Sequence, residues 1–182
     1  GLRASQNNNL KYKHWVEERR RIVDQKSNGE IGYLHIKGMD QPSLNQFKQD
    51  LFAKSYNKKA LIIDIRDNGG GNIHDELVEI LTRKQYAFTN SRYVDTAPRP
   101  FPSLTFEKPI VLLINENSFS DAEIFPVLFD HLKLGTIIGM PTSGSVIGTG
   151  SIDFMDGSRM RMPSNGWYTM NGINMEGTGA KP

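Results

Sequence analysis

The residue types able to do chemistry gather at two places in this chain. In NENSFSDAEIFP, residues 115–126, Ser118 and Ser120 stand beside Asp121 and Glu123. In DIRDNGGGN, residues 64–72, three glycines follow one another at Gly69, Gly70 and Gly71. A serine hydroxyl is a poor nucleophile until a base takes its proton. Acyl transfer also needs N–H donors aimed at the oxyanion that forms, and glycine turns and helix N-termini supply them. With 4 histidines and no cysteine, the chain excludes a thiol nucleophile, a disulfide framework and thiolate metal sites. No H-E-x-x-H occurs and the acidic residues lack ligand spacing, so neither a metal nor another cofactor is expected.

Each cluster has a plainer explanation. Taken alone, Ser118 or Ser120 reads best as a helix N-cap, with Asp121 and Glu123 favouring the positive end of the helix. The G-x-S-x-G of a nucleophile elbow is absent, although a serine held between strand and helix follows the same logic. The glycine run lacks the Lys-Ser/Thr of a phosphate loop and the alternating ligands of a calcium loop. It remains either a tight turn needing positive φ or a set of N–H groups facing developing negative charge; both readings stand here.

The elements that position these clusters alternate. Strands are expected at 31–38, 60–66, 108–115 and 136–140, with helices at 43–56 (Ser43 as candidate N-cap), 72–84 and 118–134 between them. Asp156-Gly157 between alternating runs signals a C-terminal hairpin over 149–169. Buried strands alternating with helices imply an α/β fold with a largely parallel sheet, whose chemistry collects at the carboxyl ends of the strands. Residues 1–29 read as a charged helical leader or linker stopping at Asn28-Gly29, and residues 30–182 as the domain. The stretch 87–108 is irregular, and lines a cleft, makes a subunit contact or is a surface excursion.

Composition narrows the partners. The 182 residues make one domain or most of one, and 22 basic against 20 acidic residues leave a net charge of +2. That balance gives no argument for a nucleic-acid partner, and Arg19–Arg21, preceded by Glu17 and Glu18, reads as a solvated helix face. No run approaches the roughly 18 apolar residues of a membrane span.

Taken together, ALIIDIRDNGGGN, PIVLLINENSFSDAEIFP and GTIIGMPTSGSVIG resemble the tail-specific or C-terminal-processing serine peptidases, nearest to the tricorn core. The resemblance runs from about Gly32 to the end of the chain. It implies a crotonase-like (ClpP-like) layering of sheet and helices, and Ser120 as the nucleophile with Ser118 a packing or capping neighbour. It further implies an oxyanion hole from the Asp121 N–H and from Gly70 or Gly71, and a supporting Glu176 in NGINMEGTGAKP. Many members carry a base lysine where this chain has Ser145, so the resemblance implies a histidine base instead. Of the histidines, His14 lies in the leader, His35 in a strand and His131 late in a helix; His74 alone follows the glycine loop. The tricorn branch draws its histidine from an upstream region beyond a PDZ-like module. The expectation is therefore a peptidase fragment whose base lies in a missing upstream segment, and which is inactive alone. A peptide or unfolded-protein substrate and homo-oligomers follow from the same resemblance. A silent peptide-binding or scaffolding module of the same fold is the other reading, and acyl-CoA chemistry finds no adenine-nucleotide signature and no job for the serine.

Overall fold

β-branched and leucine-rich runs, bounded by polar turns, make the strands of a central sheet. The computed structural model describes residues 4–93 and 95–182. In chain order the elements are α1 (Ala4–Lys26), β1 (Ile31–His35), α2 (Gln41–Gln49) running into a π-helical turn (Asp50–Lys54), β2 (Ala60–Asp64) and α3 (His74–Thr82). Then come β3 (Ala87–Thr89), β4 (Arg99–Phe101), β5 (Ile110–Ile114), α4 (Asp121–His131), β6 (Thr136–Gly139), β7 (Ile147–Asp153) and β8 (Arg159–Gly166). Four strands form one parallel sheet in the order β1-β2-β5-β6. Its register sets Leu34, Ile63, Leu112 and Ile137 side by side across the sheet. Strands buried in this way read as continuous apolar runs, which is why IIDI and IVLLI carry no alternation.

The helices bury one stripe each against that sheet. Leu44, Phe47 and Leu51 come from α2 and its π-helical extension, Leu77, Ile80 and Leu81 from α3, and Ala122, Phe125 and Phe129 from α4, all in one core cluster. Truncating a fully buried member such as Leu112 to alanine costs about 2–5 kcal/mol by the usual core behaviour. Two features of the helices differ from the sequence expectation. α2 begins at Gln41 and is capped by Asp40, whose carboxylate accepts the Ser43 N–H at 2.9 Å, so Ser43 is not the cap. Pro42, already fixed at helical φ, belongs to the first turn and moves the start of the helix earlier. α1 is no free linker: Val16 is buried, Arg20 donates to the Tyr33 carbonyl at 3.3 Å, and Tyr12 Oη lies 2.9 Å from His35 Nδ1.

The stretch 87–108 contains the short antiparallel pair β3–β4, and Val94 within it lies outside the described residues. β7 and β8 form a second antiparallel pair that turns at Asp156-Gly157, Gly157 having φ +83°. Among the described residues no helix is long and apolar enough to cross a membrane.

The consequence for the site is topological. β2 and β5 are neighbours and parallel, so the segments leaving their carboxyl ends, residues 65–73 and 115–120, must meet.

Candidate active site

Those two segments are stitched together by backbone and side chain. The Phe119 N–H donates to the Asn68 carbonyl at 3.0 Å. Asp67 Oδ1 accepts from both Asn115 Nδ2 and Asn117 Nδ2 at 2.9 Å, and the Asp67 N–H returns to Asn115 Oδ1 at 2.9 Å. These donors, Asn115 before Asn117, hold the Asp67 carboxyl below its ordinary pKa. Asn68 is fully buried; its Nδ2 donates to the Ile36 carbonyl and its Oδ1 accepts the Gly70 N–H, both at 2.9 Å. Gly71, at φ +151°, passes so close to Met39 that a Cβ there would lie 1.8 Å from the Met39 carbonyl oxygen.

Ser118 and Ser120 part company in this setting. Ser118 is fully buried and its hydroxyl donates to the Ile65 carbonyl at 3.0 Å, so it packs the junction and caps no helix. Ser120 is the residue before α4 and sits at φ 53°, ψ −117°, a backbone well that a residue with a Cβ enters only under strain. Its N–H is shared between Glu123 Oε1 at 3.1 Å and the Ser145 carbonyl at 3.2 Å. Gly70 touches it from the other side. Of the two glycines named from the sequence, Gly70 has its N–H engaged by Asn68, whereas Gly71, like Gly69 and Asp121, donates its N–H to no partner among the described residues.

The two carboxylates following Ser120 turn in opposite directions. Asp121, 2% exposed, points back to α3: Oδ2 accepts the Ile73 N–H at 2.7 Å and Oδ1 meets His74 Nδ1. The His74 ring is buried, lies edge-on to Trp167 at 5.3 Å, and has its pKa raised, chiefly by the hydrogen bond to Asp121. Glu123, 0% exposed, faces the segment after β6 and accepts from Thr142 Oγ1 (2.6 Å), Gly144 N (2.6 Å), Ser145 N (2.9 Å) and Ser143 Oγ (3.2 Å) besides Ser120 N. Sequence reasoning gave Glu123 only a dipole role and Asp121 only its backbone. The S-x-x-E spacing from Ser120 to Glu123 carried the missed signal, since it is the spacing of a capping box.

Glu176 is exposed and its Oε2 accepts the Val146 N–H at 2.6 Å, next to the Ser145 whose carbonyl receives the Ser120 N–H. The C-terminal segment is held there by Gly177 N to Gly144 O at 2.7 Å and by Thr142 N to Ala180 O at 3.0 Å. The histidines do not converge on Ser120. His14 and His131 are exposed, His35 bonds Tyr12 and the Arg66 carbonyl at 3.1 Å, and His74 bonds Asp121. Among the described residues no group of three or more histidines and carboxylates is arranged to hold a metal.

This geometry has counterparts of known kind. The model of peptidase family S41 matches residues 30–182. Tricorn protease of Thermoplasma volcanium is 34% identical over 175 residues, covering 95% of this chain and 17% of its own length. A carboxy-terminal-processing protease of Bartonella bacilliformis is 26% identical over 174 residues, covering 89% of this chain and 40% of the relative. The crystal structure of the tricorn protease superposes with a TM-score of 0.83 at 34% identity, over 94% of this chain and 17% of that one. The photosystem II D1 C-terminal processing protease shares the fold, at a TM-score of 0.66 and 22% identity over 84% of this chain. The chain thus spans only about a sixth of the tricorn length, 17%. With the match taking in the glycine loop, the Ser120 junction and the C-terminal segment alike, the chain belongs to peptidase family S41 and is a relative of the tricorn proteases.

Proposed function

We propose that this chain carries the nucleophile of a serine peptidase that opens peptide bonds by acyl transfer through Ser120, on a crotonase-like layered scaffold with a C-terminal hairpin. The observation that carries the reading is Ser120 itself, strained at φ 53° at the start of α4 and in contact with the glycine loop. Ser120 attacks the carbonyl carbon. The tetrahedral oxyanion is met by the Asp121 N–H and by a glycine-loop N–H, Gly71 being unengaged and Gly70 needing to exchange its bond to Asn68. Losing one such donor typically costs about 10²–10³ in rate. Ile124, one turn beyond Ser120, lines an open hollow of about 460 Å³ with Trp167, Tyr168 and Met175, which suits an apolar side chain of a bound peptide.

The base is a histidine from outside these residues, because no histidine among the described residues hydrogen-bonds Ser120, and His35 and His74 are committed to other partners. Glu176 supports that relay from its place beside Ser145 and Val146. The substrate is a peptide or unfolded protein, cut internally or near its carboxyl end, and the working enzyme is a homo-oligomer of the longer chain. The lack of a histidine hydrogen-bonded to Ser120 among the described residues also favours a second reading, a catalytically silent peptide-binding module.

A fluorophosphonate probe separates the two. The full-length protein is expected to label at Ser120, and the isolated chain hardly at all. Strong labelling of the isolated chain, abolished by Ser120→Ala, would rule out the external base. Peptide hydrolysis unchanged in full-length Ser120→Ala would remove the nucleophile assignment, and a full-length protein that never labels would favour the silent module.

A further inference from the structure

We propose that His74 is a positioning residue, holding the Asp121 carboxylate as a strut that fixes the two walls of the oxyanion hole relative to one another. The inference rests on the peptidase reading above and extends it to a residue outside the reacting groups.

The glycine loop ends at Asn72, and the next two residues, Ile73 and His74, open α3. Both direct a nitrogen at the same carboxylate, Ile73 N to Oδ2 and His74 Nδ1 to Oδ1 of Asp121. Asp121 is the first residue of α4, and its N–H immediately follows Ser120. One side chain therefore bridges the exit of the glycine loop and the donor beside the nucleophile. The N-terminus of α3 has no side-chain cap from Ile73 itself, so this carboxylate from α4 satisfies it in trans.

The strut is closed from outside. His74 is 5% exposed, with Trp167 edge-on to the ring, and Nε2 lies 3.5 Å from Asp75 Oδ1. This ring is thus committed at one nitrogen and packed against Trp167, which fits a support and not a proton shuttle for Ser120. Without its donor, Asp121 would keep a buried oxygen unpaired, and the side chain would turn toward water. Because Asp121 begins α4, that turn moves its own N–H, while the glycine loop stays anchored through Asn68 and the close approach of Gly71 to Met39. The hole would open on one side only, and a displacement of about an ångström there can cost roughly 10²-fold in rate.

Saturation kinetics of fluorophosphonate labelling in the full-length protein test this, since the phosphonyl oxygen occupies the hole only as the bond to Ser120 forms. His74→Ala is expected to lower the maximal labelling rate about 10- to 100-fold, with half-saturation and final labelled fraction unchanged. His74→Asn places an amide nitrogen where Nδ1 stood and is expected to restore the rate to within about threefold. A purely structural role would reduce the labelled fraction or the melting temperature and leave the maximal rate of the surviving molecules intact; that result overturns the proposal. So does His74→Asn as slow as His74→Ala, or His74→Ala as fast as the parent. If His74→Ala does not fold, the proposal stands or falls on whether His74→Asn labels at the parent rate while His74→Gln, whose amide reaches past Asp121, does not. A parent protein that does not label at Ser120 removes the peptidase reading, and this inference with it.

Discussion

Gly70 lies against Ser120 so closely that a Cβ at Gly70 would sit 2.8 Å from the Ser120 Cβ and 2.7 Å from the Phe119 carbonyl oxygen. Gly70 also has φ +88°, so the position excludes a side chain by backbone conformation and by contact. Gly70→Ala must therefore push the two junctions apart. The expected result is a loss of about 2 kcal/mol or more in urea unfolding and at least a 100-fold slower labelling of Ser120 in the full-length protein. Normal labelling in a folded Gly70→Ala protein would mean that the glycine loop takes no part in the site.

Ser118 and Ser120, two residues apart, are expected to respond in opposite ways. Ser118→Ala removes the donor to the buried Ile65 carbonyl and should cost about 1–2 kcal/mol while leaving labelling of Ser120 near its parent rate. Ser120→Gly abolishes labelling and relieves a backbone held at φ 53°, so it should stabilise the fold by about 1 kcal/mol. Paired urea titrations and labelling of both variants make the comparison, and a destabilised Ser120→Gly would show that the strain is not where the dihedrals put it.

Glu123 is expected to be the most sensitive carboxylate in the chain. Its two oxygens collect five donors, from Ser120, Thr142, Ser143, Gly144 and Ser145, with no exposure to water. Glu123→Ala strands those donors and should cost on the order of 3–5 kcal/mol, the scale of a broken buried charge network. Glu123→Gln keeps the shape but turns an NH2 toward N–H groups, so it should recover only part of the loss. Chemical denaturation ranks the three proteins, and a Glu123→Ala variant within about 1 kcal/mol of the parent would contradict the hub.

The alternation of strands and helices was legible because IIDI and IVLLI are long, β-branched and bounded by polar turns. The meeting of DNGGGN with Ser120 followed once β2 and β5 were neighbours, and spacing alone could not say that they were. What escaped the sequence shares one physical cause: a carboxylate whose partners arrive from far along the chain. Glu123 looks like a dipole complement until residues 142–145 are folded over it, and Asp121 looks like an ordinary first-turn acid until His74 arrives from 47 residues away. Asp40 displaced Ser43 as a cap because Pro42 sits comfortably inside the first turn, a shift of a few residues that local pattern does not resolve. The docking of α1 was hidden for a different reason. Its contacts are polar, through Tyr12 and Arg20, or aromatic, through Trp15 against His35, and Val16 is the one buried aliphatic residue among its described positions.

Acidification should loosen α1 and tighten the start of α3, because two histidines shift in opposite directions. His35 bonds the Arg66 carbonyl through Nε2, which can only donate there, so the neutral ring accepts from Tyr12 at Nδ1. Burial, the leading cause, lowers its pKa against the opposing pull of Asp64, of the hydrogen bond to the Arg66 carbonyl and of Asp67, while the Arg66 charge adds to the lowering. Its contribution is therefore full above the unfolded value of about 6.5 and is lost as pH falls toward the depressed folded value. His74 faces Asp121, with Asp75 and Glu76 on its own helix, and its pKa is raised. Its contribution is full below about 6.5 and is lost as pH rises through the raised folded value. Hydrogen exchange, corrected for intrinsic rates, should become faster in α1 and slower at residues 73–77 on going from about pH 7.5 to about 5.5. His35→Gln should remove the first trend alone, and His74→Asn the second alone. Parallel trends in both segments would show that neither ring governs its contact.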